Sequence, residues 1–326
     1  MRLPELLSEL LPGSYARSNP RIEGAGAVVV VTGAARGIGA EVARAFGAAG
    51  SHVWLCDVDA DVVAATAATI EGARARRLDV TDRALWAALV DEILAEHGRL
   101  DVLVNNAGVM PVGPFTAQPP ETTDLIIDVN VKGVLNGMAA VLPAMVAAGR
   151  GHIVNVASMA GVLPLPGMVS YNASKYAAYG ASLAARREYD GTGVTVSAVL
   201  PSAVRTELSS GADLGGTLPT VDPEQVARAI VRSLHTRAAR TSVPGWVLPA
   251  WLHVDGLVPE SIERVVRELA GHRQAMSLDP AARARYLSRI SRQASEHSAA
   301  GGSDARGSDA RGSDARGTDA ARSGLR

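Results

Sequence analysis

Short β-branched runs alternate with longer alanine-rich segments from Ala27 onward, and this alternation restricts the possible folds more than any other feature. The first pair is AVVVVTG followed by AEVARAFGAAG, and the second is HVWLCDVD followed by DVVAATAATI. Parallel strands joined by helices give this pattern, because helices cover both faces of the sheet. The sequence therefore predicts an α/β fold with a doubly wound parallel sheet.

Later segments continue the pattern. Four further buried-strand candidates stand at residues 75–80, 100–108, 151–158 and 194–201. With the first two runs they predict six parallel strands, and RTSVPG at 240–245 is a candidate for a seventh. The stretch 202–220 is rich in Gly, Ser and Thr and has no sustained period. Connections this long are usually functional in compact domains, so we expect a lid over a ligand, with a plain surface loop as the alternative.

Changes in composition divide the chain into four predicted segments. These are an N-terminal extension (1–25), the α/β catalytic domain (26–245), an apolar helical extension (246–295) and a tail of GSDAR repeats (296–326). The repeats contain no large apolar side chain that could build a core, so we predict a disordered tail. Trp246 and Trp251 in the helical extension leave three interpretations open: an interface, a cover over a pocket, or a peripheral membrane contact.

Charge and composition restrict the partners. The net charge of −1 provides no basic field for nucleic acid, which favours a small-molecule partner. No uninterrupted apolar stretch reaches the roughly 20 residues of a membrane span, and the first 25 residues lack the features of a signal peptide. The single cysteine, Cys56, fits a reducing compartment, so we expect a cytoplasmic protein. None of the seven histidines has a second ligand at metal-binding spacing, and we predict no metal.

Three glycines, Gly33, Gly37 and Gly39, stand between the first strand and the first long helix. Glycine at such positions permits a tight turn and the close approach of a pyrophosphate to the helix N-terminus. Asp57 ends the second strand about 20 residues later, where a carboxylate hydrogen-bonds the adenosine ribose and repels a 2′-phosphate. We therefore predict NAD rather than NADP. Arg36 in the loop is the opposing observation, since it could pair with that phosphate or remain solvated.

Tyr171 precedes Lys175 by about one helical turn in the segment SYNASKYAAYG. On one helix face their Cβ atoms would lie about 5–6 Å apart. A cation at that distance lowers the pKa of an acid, and efficient proton transfer needs a pKa close to the working pH. The pair is therefore a candidate proton-transfer site.

Six motifs, in order along the chain, resemble those of the short-chain dehydrogenase/reductase family. They are TGAARGIG (32–39), LDV (78–80), NNAG (105–108), Asn130 in DVNVKGV, Ser158 in NVASMAG and YNASK (171–175). The resemblance covers residues 26–245. It implies a Rossmann fold and hydride transfer between a nicotinamide cofactor and a secondary alcohol or ketone.

The resemblance also implies a role for each matching residue. Tyr171 would be the catalytic acid/base, and Lys175 would hold the nicotinamide ribose and lower the tyrosine pKa. Ser158 would hydrogen-bond the substrate oxygen, and Asn130 would position a water that links Lys175 to solvent. The implied cofactor-binding residues are Gly33, Arg36, Gly37, Ile38, Gly39, Asp57, Asp79, Val80, Asn106, Ala107, Gly108, Tyr171, Lys175, Val204 and Thr206.

The sequence departs from the family pattern at two places, and it leaves two alternative functions to be considered. Ser202 follows Pro201 where the family usually has glycine, and no Val-Asp-Gly-Gly ending follows the seventh strand. We expect a homodimer or homotetramer, although the missing ending puts the standard tetramer in doubt. The pocket candidates predict an apolar alcohol or ketone as substrate; they are Met110, Pro111, Met159, Val162, Leu163, Pro164 and Leu208. The alternatives are an NADPH-dependent ketone reductase that uses Arg36 and a catalytically silent nucleotide-binding regulatory protein.

Overall fold

The computed structural model describes residues 19–211, 219–259, 262, 264, 281, 283–295 and 297. A parallel sheet forms its centre, with the strands β1 (Val28–Thr32), β2 (His52–Asp57), β3 (Arg74–Arg77), β4 (Val102–Asn105), β5 (Gly151–Val156), β6 (Val194–Pro201) and β9 (Arg240–Val243). Their order is β3-β2-β1-β4-β5-β6-β9. This is the doubly wound Rossmann order with one strand added at the β6 edge. The predicted fold class and the seventh strand are confirmed.

Helices cover both faces of the sheet. They are α1 (Gly37–Ala48), α2 (Ala60–Ala67), α3 (Arg83–His97), α4 (Pro120–Ile127), α5 (Gly133–Ala147), α6 (Val169–Glu188), α7 (Pro223–Thr236) and α8 (Val247–Leu257). A π-helical turn, Asp128–Lys132, joins α4 to α5. Residues 283–295 are also helical, and we refer to them as the distal helix.

Alternate side chains of the buried strands point to opposite faces of the sheet. Val29 and Val31 of β1 pack on one face with Phe46 of α1. Val28 and Val30 pack on the other face, in a cluster that extends to α3 and α5. Because both faces are covered, these strands are continuous β-branched runs rather than alternating ones.

The structure corrects two predicted boundaries. The strand predicted at 75–80 is β3, which ends at Arg77, because Asp79 Oδ1 accepts hydrogen bonds from Thr81 N (2.9 Å) and Thr81 Oγ1 (2.7 Å) and turns the chain. The stretch 202–220 is not an irregular loop throughout. It contains β7 (Ala203–Val204), which pairs with β8 (Thr220–Val221), and a short 3₁₀ turn between them. Residues 212–218 of the predicted lid lie outside the described residues.

The described part of the N-terminal extension packs against the α/β domain. Ile22 is buried in the core, and the Pro20 carbonyl accepts a hydrogen bond from Arg237 Nη2 (3.0 Å). The predicted repeat tail lies outside the described residues, apart from His297.

One helical stretch, Pro120–Ala147, is long and apolar enough to cross a membrane, with a mean hydropathy of 1.5. It consists of α4, the π-helical turn and α5, and 56% of its most apolar window is buried inside the protein. Its α5 side chains pack with Trp86 of α3 in the core. Packing in the core of the protein therefore accounts for much of the apolar character of this stretch.

Candidate active site

A cavity of about 930 Å³ opens at the carboxyl ends of the central strands. In doubly wound sheets, ligands bind at this edge, beside the point where the strand order reverses. All of the sequence-predicted site residues line the cavity except Gly39 and Asn130, which lie behind its wall.

The turn between β1 and α1 requires the glycines. Gly33 (φ 63°) and Gly37 (φ 57°) adopt left-handed conformations that favour glycine. At Gly39 a Cβ atom would lie 2.2 Å from the Gly33 carbonyl oxygen. Arg36 is the N-cap residue of α1 but makes no side-chain cap, and the first turn of α1 carries no acidic residue. The N–H groups of this helix terminus are therefore available to an anion.

Asp57 ends β2 beside this turn. Its carboxylate accepts hydrogen bonds from Ala35 N (3.0 Å) and Asp59 N (3.1 Å). Burial raises the pKa of Asp57, and the two backbone hydrogen bonds oppose that change. Arg36 pairs with the neighbouring acid, with Nη1 2.7 Å from Asp59 Oδ2. The loop arginine and two carboxylates thus share one corner of the cavity.

Asn106 joins the turns that follow β1 and β4. Its side-chain Nδ2 donates to the carbonyls of Thr32 (2.9 Å) and Gly33 (3.0 Å). Thr32 Oγ1 in turn accepts from Asn106 N and Ala107 N. At Gly108 a Cβ atom would lie 3.1 Å from Asn130 Oδ1 and 3.6 Å from Lys175 Nζ, so this segment runs close to both side chains.

Three of the four predicted catalytic side chains meet at one end of the cavity. Tyr171 and Lys175 lie one turn apart on α6, and Lys175 Nζ is 5.7 Å from the centre of the tyrosine ring. The lysine also donates a hydrogen bond to the Val156 carbonyl at the end of β5 (3.0 Å). Ser158 follows β5, and its side chain shares a hydrogen bond with Tyr171.

Asn130 lies in the π-helical turn, fully buried. Its Oδ1 accepts from Val109 N (2.8 Å), and its Nδ2 donates to the Val109 carbonyl (2.9 Å) and to Ser174 Oγ (3.0 Å). The side-chain amide therefore holds the backbone next to Gly108 against α6. Single-turn π-helical segments are frequent at functional sites, and this one turns Asn130 inward.

The distal helix forms a wall of the same cavity, which the sequence reasoning missed. Tyr286 Oη accepts a hydrogen bond from Met110 N (2.6 Å). The buried Arg283 donates to the carbonyls of Met110 (2.6 Å) and Ser210 (2.8 Å). The side chains of the distal helix that line the cavity are Tyr286, Arg289, Ile290 and Gln293, and His297 lines it as well. The i, i+3, i+4, i+7 spacing of the first four was the available sequence signal, but no family motif marks it.

The two tryptophans lie elsewhere, and neither lines the cavity. Trp251 Nε1 donates to the Val162 carbonyl (2.9 Å), and its ring packs with a cluster that includes Met159 and Leu248. Trp246 is 63% exposed. Of the seven predicted pocket residues, Met110 and Leu208 line the cavity and the other five do not.

Comparison with known sequences identifies the family. The sequence model described as "short chain dehydrogenase" matches residues 27–214, which is more than half of the chain. The chain belongs to the short-chain dehydrogenase family. The distal helix, which contributes a wall of the cavity, lies beyond the part that the family model matches.

Relatives of this chain within the family are named for different activities. The chain is 36% identical over 220 residues to a D-threitol dehydrogenase of Mycolicibacterium smegmatis, covering 63% of this chain and 85% of that protein. It is 37% identical over 185 residues to a 3-alpha-(or 20-beta)-hydroxysteroid dehydrogenase of Mycobacterium tuberculosis, covering 56% and 71%. It is also 39% identical over 204 residues to the probable oxidoreductase EphD of the same species, covering 61% of this chain. That match spans only 34% of EphD.

A solved structure supports the same assignment. A metagenomic short-chain oxidoreductase in complex with NADP is 37% identical, with a TM-score of 0.57, and the match covers 66% of this chain and 93% of that chain. The family binds nicotinamide cofactors, and the cavity fits such a group. The left-handed glycines and the open N-terminus of α1 leave room for a pyrophosphate, and Tyr171 and Ser158 stand at the other end.

Burial dominates the electrostatics of Tyr171 and Lys175. It raises the pKa of Tyr171 to about 12, and only the hydrogen bond from Ser158 opposes this shift. It also lowers the pKa of Lys175 to about 8. That Lys175 lowers the tyrosine pKa stays a prediction, because burial of the phenol sets the direction of the shift in the polypeptide by itself. The Lys175 ammonium donates to the Val156 carbonyl.

Proposed function

We propose that this protein is an NAD-dependent oxidoreductase that transfers a hydride between the cofactor nicotinamide and a secondary alcohol or ketone. One observation carries the proposal. Tyr171, Ser158 and Lys175 converge at one end of a single cavity, while Asp57 and the uncapped N-terminus of α1 stand at the other. This arrangement suits a long anionic cofactor whose reactive end reaches the tyrosine.

The hydroxyls of Tyr171 and Ser158 would bind the same substrate oxygen. When bound, the cofactor supplies the hydride acceptor or donor. During alcohol oxidation Tyr171 Oη takes the hydroxyl proton, and Ser158 donates a hydrogen bond to the oxygen as its charge changes. During ketone reduction Tyr171 returns the proton. Reaction requires the tyrosine pKa to fall from about 12, and the Lys175 ammonium supplies the charge that favours phenolate.

Lys175 is held for this role by the Val156 carbonyl, and Asn130 braces the adjoining backbone. With a pKa of about 8, the lysine is mainly charged at neutral pH. We propose that Asn130 also positions the water that connects Lys175 to solvent. The polypeptide's part of the mechanism is therefore to orient the substrate oxygen and to move one proton.

The charges in the corner of the cavity shared by Arg36, Asp57 and Asp59 support NAD over NADP. Asp57 and Asp59 place two carboxylates there, which would repel a 2′-phosphate. Arg36 already pairs with Asp59, and its Nε lies 3.7 Å from Glu207 Oε2. The second candidate function, an NADPH-dependent ketone reductase, is favoured by the NADP bound to the solved relative. In that case Arg36 would leave its acid partners for the phosphate.

Apolar side chains around the tyrosine support a hydrophobic substrate. Met110, Met168 and Tyr171 pack in one cluster, with Leu165 and Leu208 at its edge. The named relatives act on a steroid and on a small polyol, so their names do not decide the substrate. An apolar secondary alcohol or its ketone fits this cluster best.

We also propose a cytoplasmic homo-oligomer. The single cysteine is buried and free, which fits a reducing compartment. Exposed apolar side chains on α5 (Leu135 and Val146) and on α6 (Val169 and Tyr176) support a dimer through these helices.

Calorimetric titration with NAD⁺ and NADP⁺ tests the proposal, using wild type and Asp57→Ala. We expect NAD⁺ to bind more than about tenfold tighter, a difference of about 1.4 kcal/mol, and Asp57→Ala to reduce that preference. Tighter binding of NADP⁺ would establish the reductase alternative. Binding of neither would refute the enzyme assignment. If the cofactor binds but no secondary alcohol or ketone is turned over, the silent regulatory alternative would be correct.

A further inference from the structure

The distal helix presents one face to the cofactor cavity. Tyr286, Arg289, Ile290 and Gln293 stand at positions i, i+3, i+4 and i+7, which places them on one side of the helix. With a rise of about 1.5 Å per residue, this face extends about 10 Å along the cavity from Tyr286 to Gln293. His297, beyond the distal helix, also lines the cavity, and its Nε2 lies 2.6 Å from Asp128 Oδ2.

Contacts at several points fix this helix to the catalytic domain. Arg283 and Tyr286 bond the backbone of Met110, as described above. Ile290 and Ala294 are buried in a cluster with Val109, Leu125 and Ile126. The face toward the cavity is therefore held in a defined position and is not a loose cover.

Arg289 is the cation that this face brings to the cavity. Its Nη1 lies 3.0 Å from Glu207 Oε1 and 3.1 Å from Glu207 Oε2. Glu207 Oε2 is in turn 3.7 Å from the Nε of Arg36, the N-cap residue of α1. Glu207 also follows Thr206, whose Cγ2 would lie 3.3 Å from a Cβ atom at Gly37. Glu207 thus links the Arg289 guanidinium to the side chain of Arg36, the residue at the helix terminus where an anion would bind.

Most of the hydrogen-bonding capacity of this guanidinium is unused. An arginine side chain has five N–H donors, and the hydrogen bonds of Arg289 with other described residues use Nη1 alone. Its Cζ also lies 5.5 Å from the centre of the Tyr286 ring. The side chain is only 17% exposed, so water does not fully solvate it. A phosphate oxygen is the natural acceptor for such donors next to a helix N-terminus.

We propose that Arg289 binds the diphosphate of the nicotinamide dinucleotide, so that the distal helix completes the cofactor site. The inference rests on the proposed function for the identity of the ligand. It adds a binding residue from outside the part of the chain that the family model matches. The diphosphate would lie between the N–H groups of α1 and the free donors of Arg289.

Calorimetric titration of the full chain with ADP-ribose and with adenosine tests the assignment. ADP-ribose retains both phosphates and lacks the nicotinamide ring, and adenosine lacks both phosphates. We expect Arg289→Gln to weaken ADP-ribose about tenfold or more, as for a lost charged hydrogen bond, and to leave adenosine unchanged. The matched control is Arg285→Gln, an exposed arginine of the same helix that does not line the cavity, and it should change neither affinity.

A second variant distinguishes phosphate binding by Arg289 from a purely structural role of its ion pair with Glu207. Glu207→Gln removes the acid that anchors Arg289 and leaves the guanidinium free for phosphate. We expect it to retain or increase ADP-ribose affinity. If Glu207→Gln and Arg289→Gln weaken ADP-ribose binding equally, their ion pair only supports the structure, and the proposal is overturned. An unchanged ADP-ribose affinity in Arg289→Gln would also overturn it. If wild type binds NAD⁺ but Arg289→Gln is unchanged, the proposed function stands and this inference fails. If wild type binds neither NAD(P)⁺ nor ADP-ribose, both fail.

Discussion

The glycine turn before α1 and the distal helix line the same cavity, yet different constraints specify them. The turn depends on backbone geometry, since left-handed residues and a contact of 2.2 Å leave no room for a side chain at Gly39. The distal helix depends on side chains that pack against residues far away in the sequence, such as Tyr286 against Met110. A local motif therefore reveals the wall formed by the glycine turn, whereas no motif marks the wall formed by the distal helix.

The largest expected effect is on kcat and comes from Tyr171, a residue of the YNASK motif. Tyr171→Phe removes the hydroxyl that we propose exchanges the proton, and keeps the ring that packs with Met110 and Met168. We expect kcat to fall by about 10²–10⁴-fold with little change in cofactor affinity. Steady-state kinetics on a responsive alcohol, together with cofactor titration, would check this. An undiminished kcat would remove Tyr171 from the mechanism.

The buried lysine should leave a signature in the pH dependence of stability. The folded state lowers the pKa of Lys175 from 10.5 to about 8, so it binds fewer protons than the unfolded state between these values. The cost of the buried charge is fully present below pH 8, and stability should rise by about 3 kcal/mol as pH increases toward 10.5. Denaturant unfolding of wild type and Lys175→Met across this range would reveal the rise as a difference between them. Parallel curves would contradict the lowered pKa.

A side chain at the tight turn tests the backbone constraint. Gly39→Ala places a methyl group against the Gly33 carbonyl, and we expect a loss of about 1–3 kcal/mol in stability together with weaker cofactor binding. Gly180→Ala is the matched control, because Gly180 lies within α6 with no atom near the added methyl group. The control should be neutral or more stable by up to about 1 kcal/mol. Equal behaviour of the two variants would show that the turn can relax.

The smallest expected effect concerns the wall formed by the distal helix. Tyr286→Phe keeps the packing of the ring but removes the acceptor for Met110 N. We expect a loss of about 1 kcal/mol, mainly in the local stability of the distal helix. Amide hydrogen exchange of residues 283–295 would measure it, with Leu287→Ala on the exposed side as the control. Unchanged protection in Tyr286→Phe would mean that this bond does not hold the helix.

Much of the fold was predictable because it follows from local patterns. The β-branched runs from Val28 and His52 gave the parallel sheet, and RTSVPG gave the seventh strand. The end of β3 was misplaced because the Asp79 side chain, not a change in hydropathy, turns the chain. In the site, the motif residues were found by resemblance, and the cavity brings nearly all of them together. Their catalytic and binding roles remain predictions.

The rest of the site depends on properties that a linear pattern does not contain. The pKa of Tyr171 is set by burial, which depends on every element packed around it. Arg283 and Tyr286 reach backbone atoms of Met110 across more than half of the chain. The segment containing them is helical and amphipathic in sequence, but which surface it would meet follows only from the completed fold.

The π-helical turn between α4 and α5 decides which hydrophobic cluster each of these helices faces. An extra residue in one helical turn shifts the phase of everything that follows by about 100°. Before the turn, Leu125 and Ile126 face the distal helix; after it, Val134 and Met138 face the core around Trp86. One nearly continuous helical stretch, Pro120–Ala147, thereby contributes side chains to two separate hydrophobic clusters. Deleting a single residue from Asp128–Lys132 would rotate one of these faces away from its cluster, while most of the helical hydrogen bonds would remain.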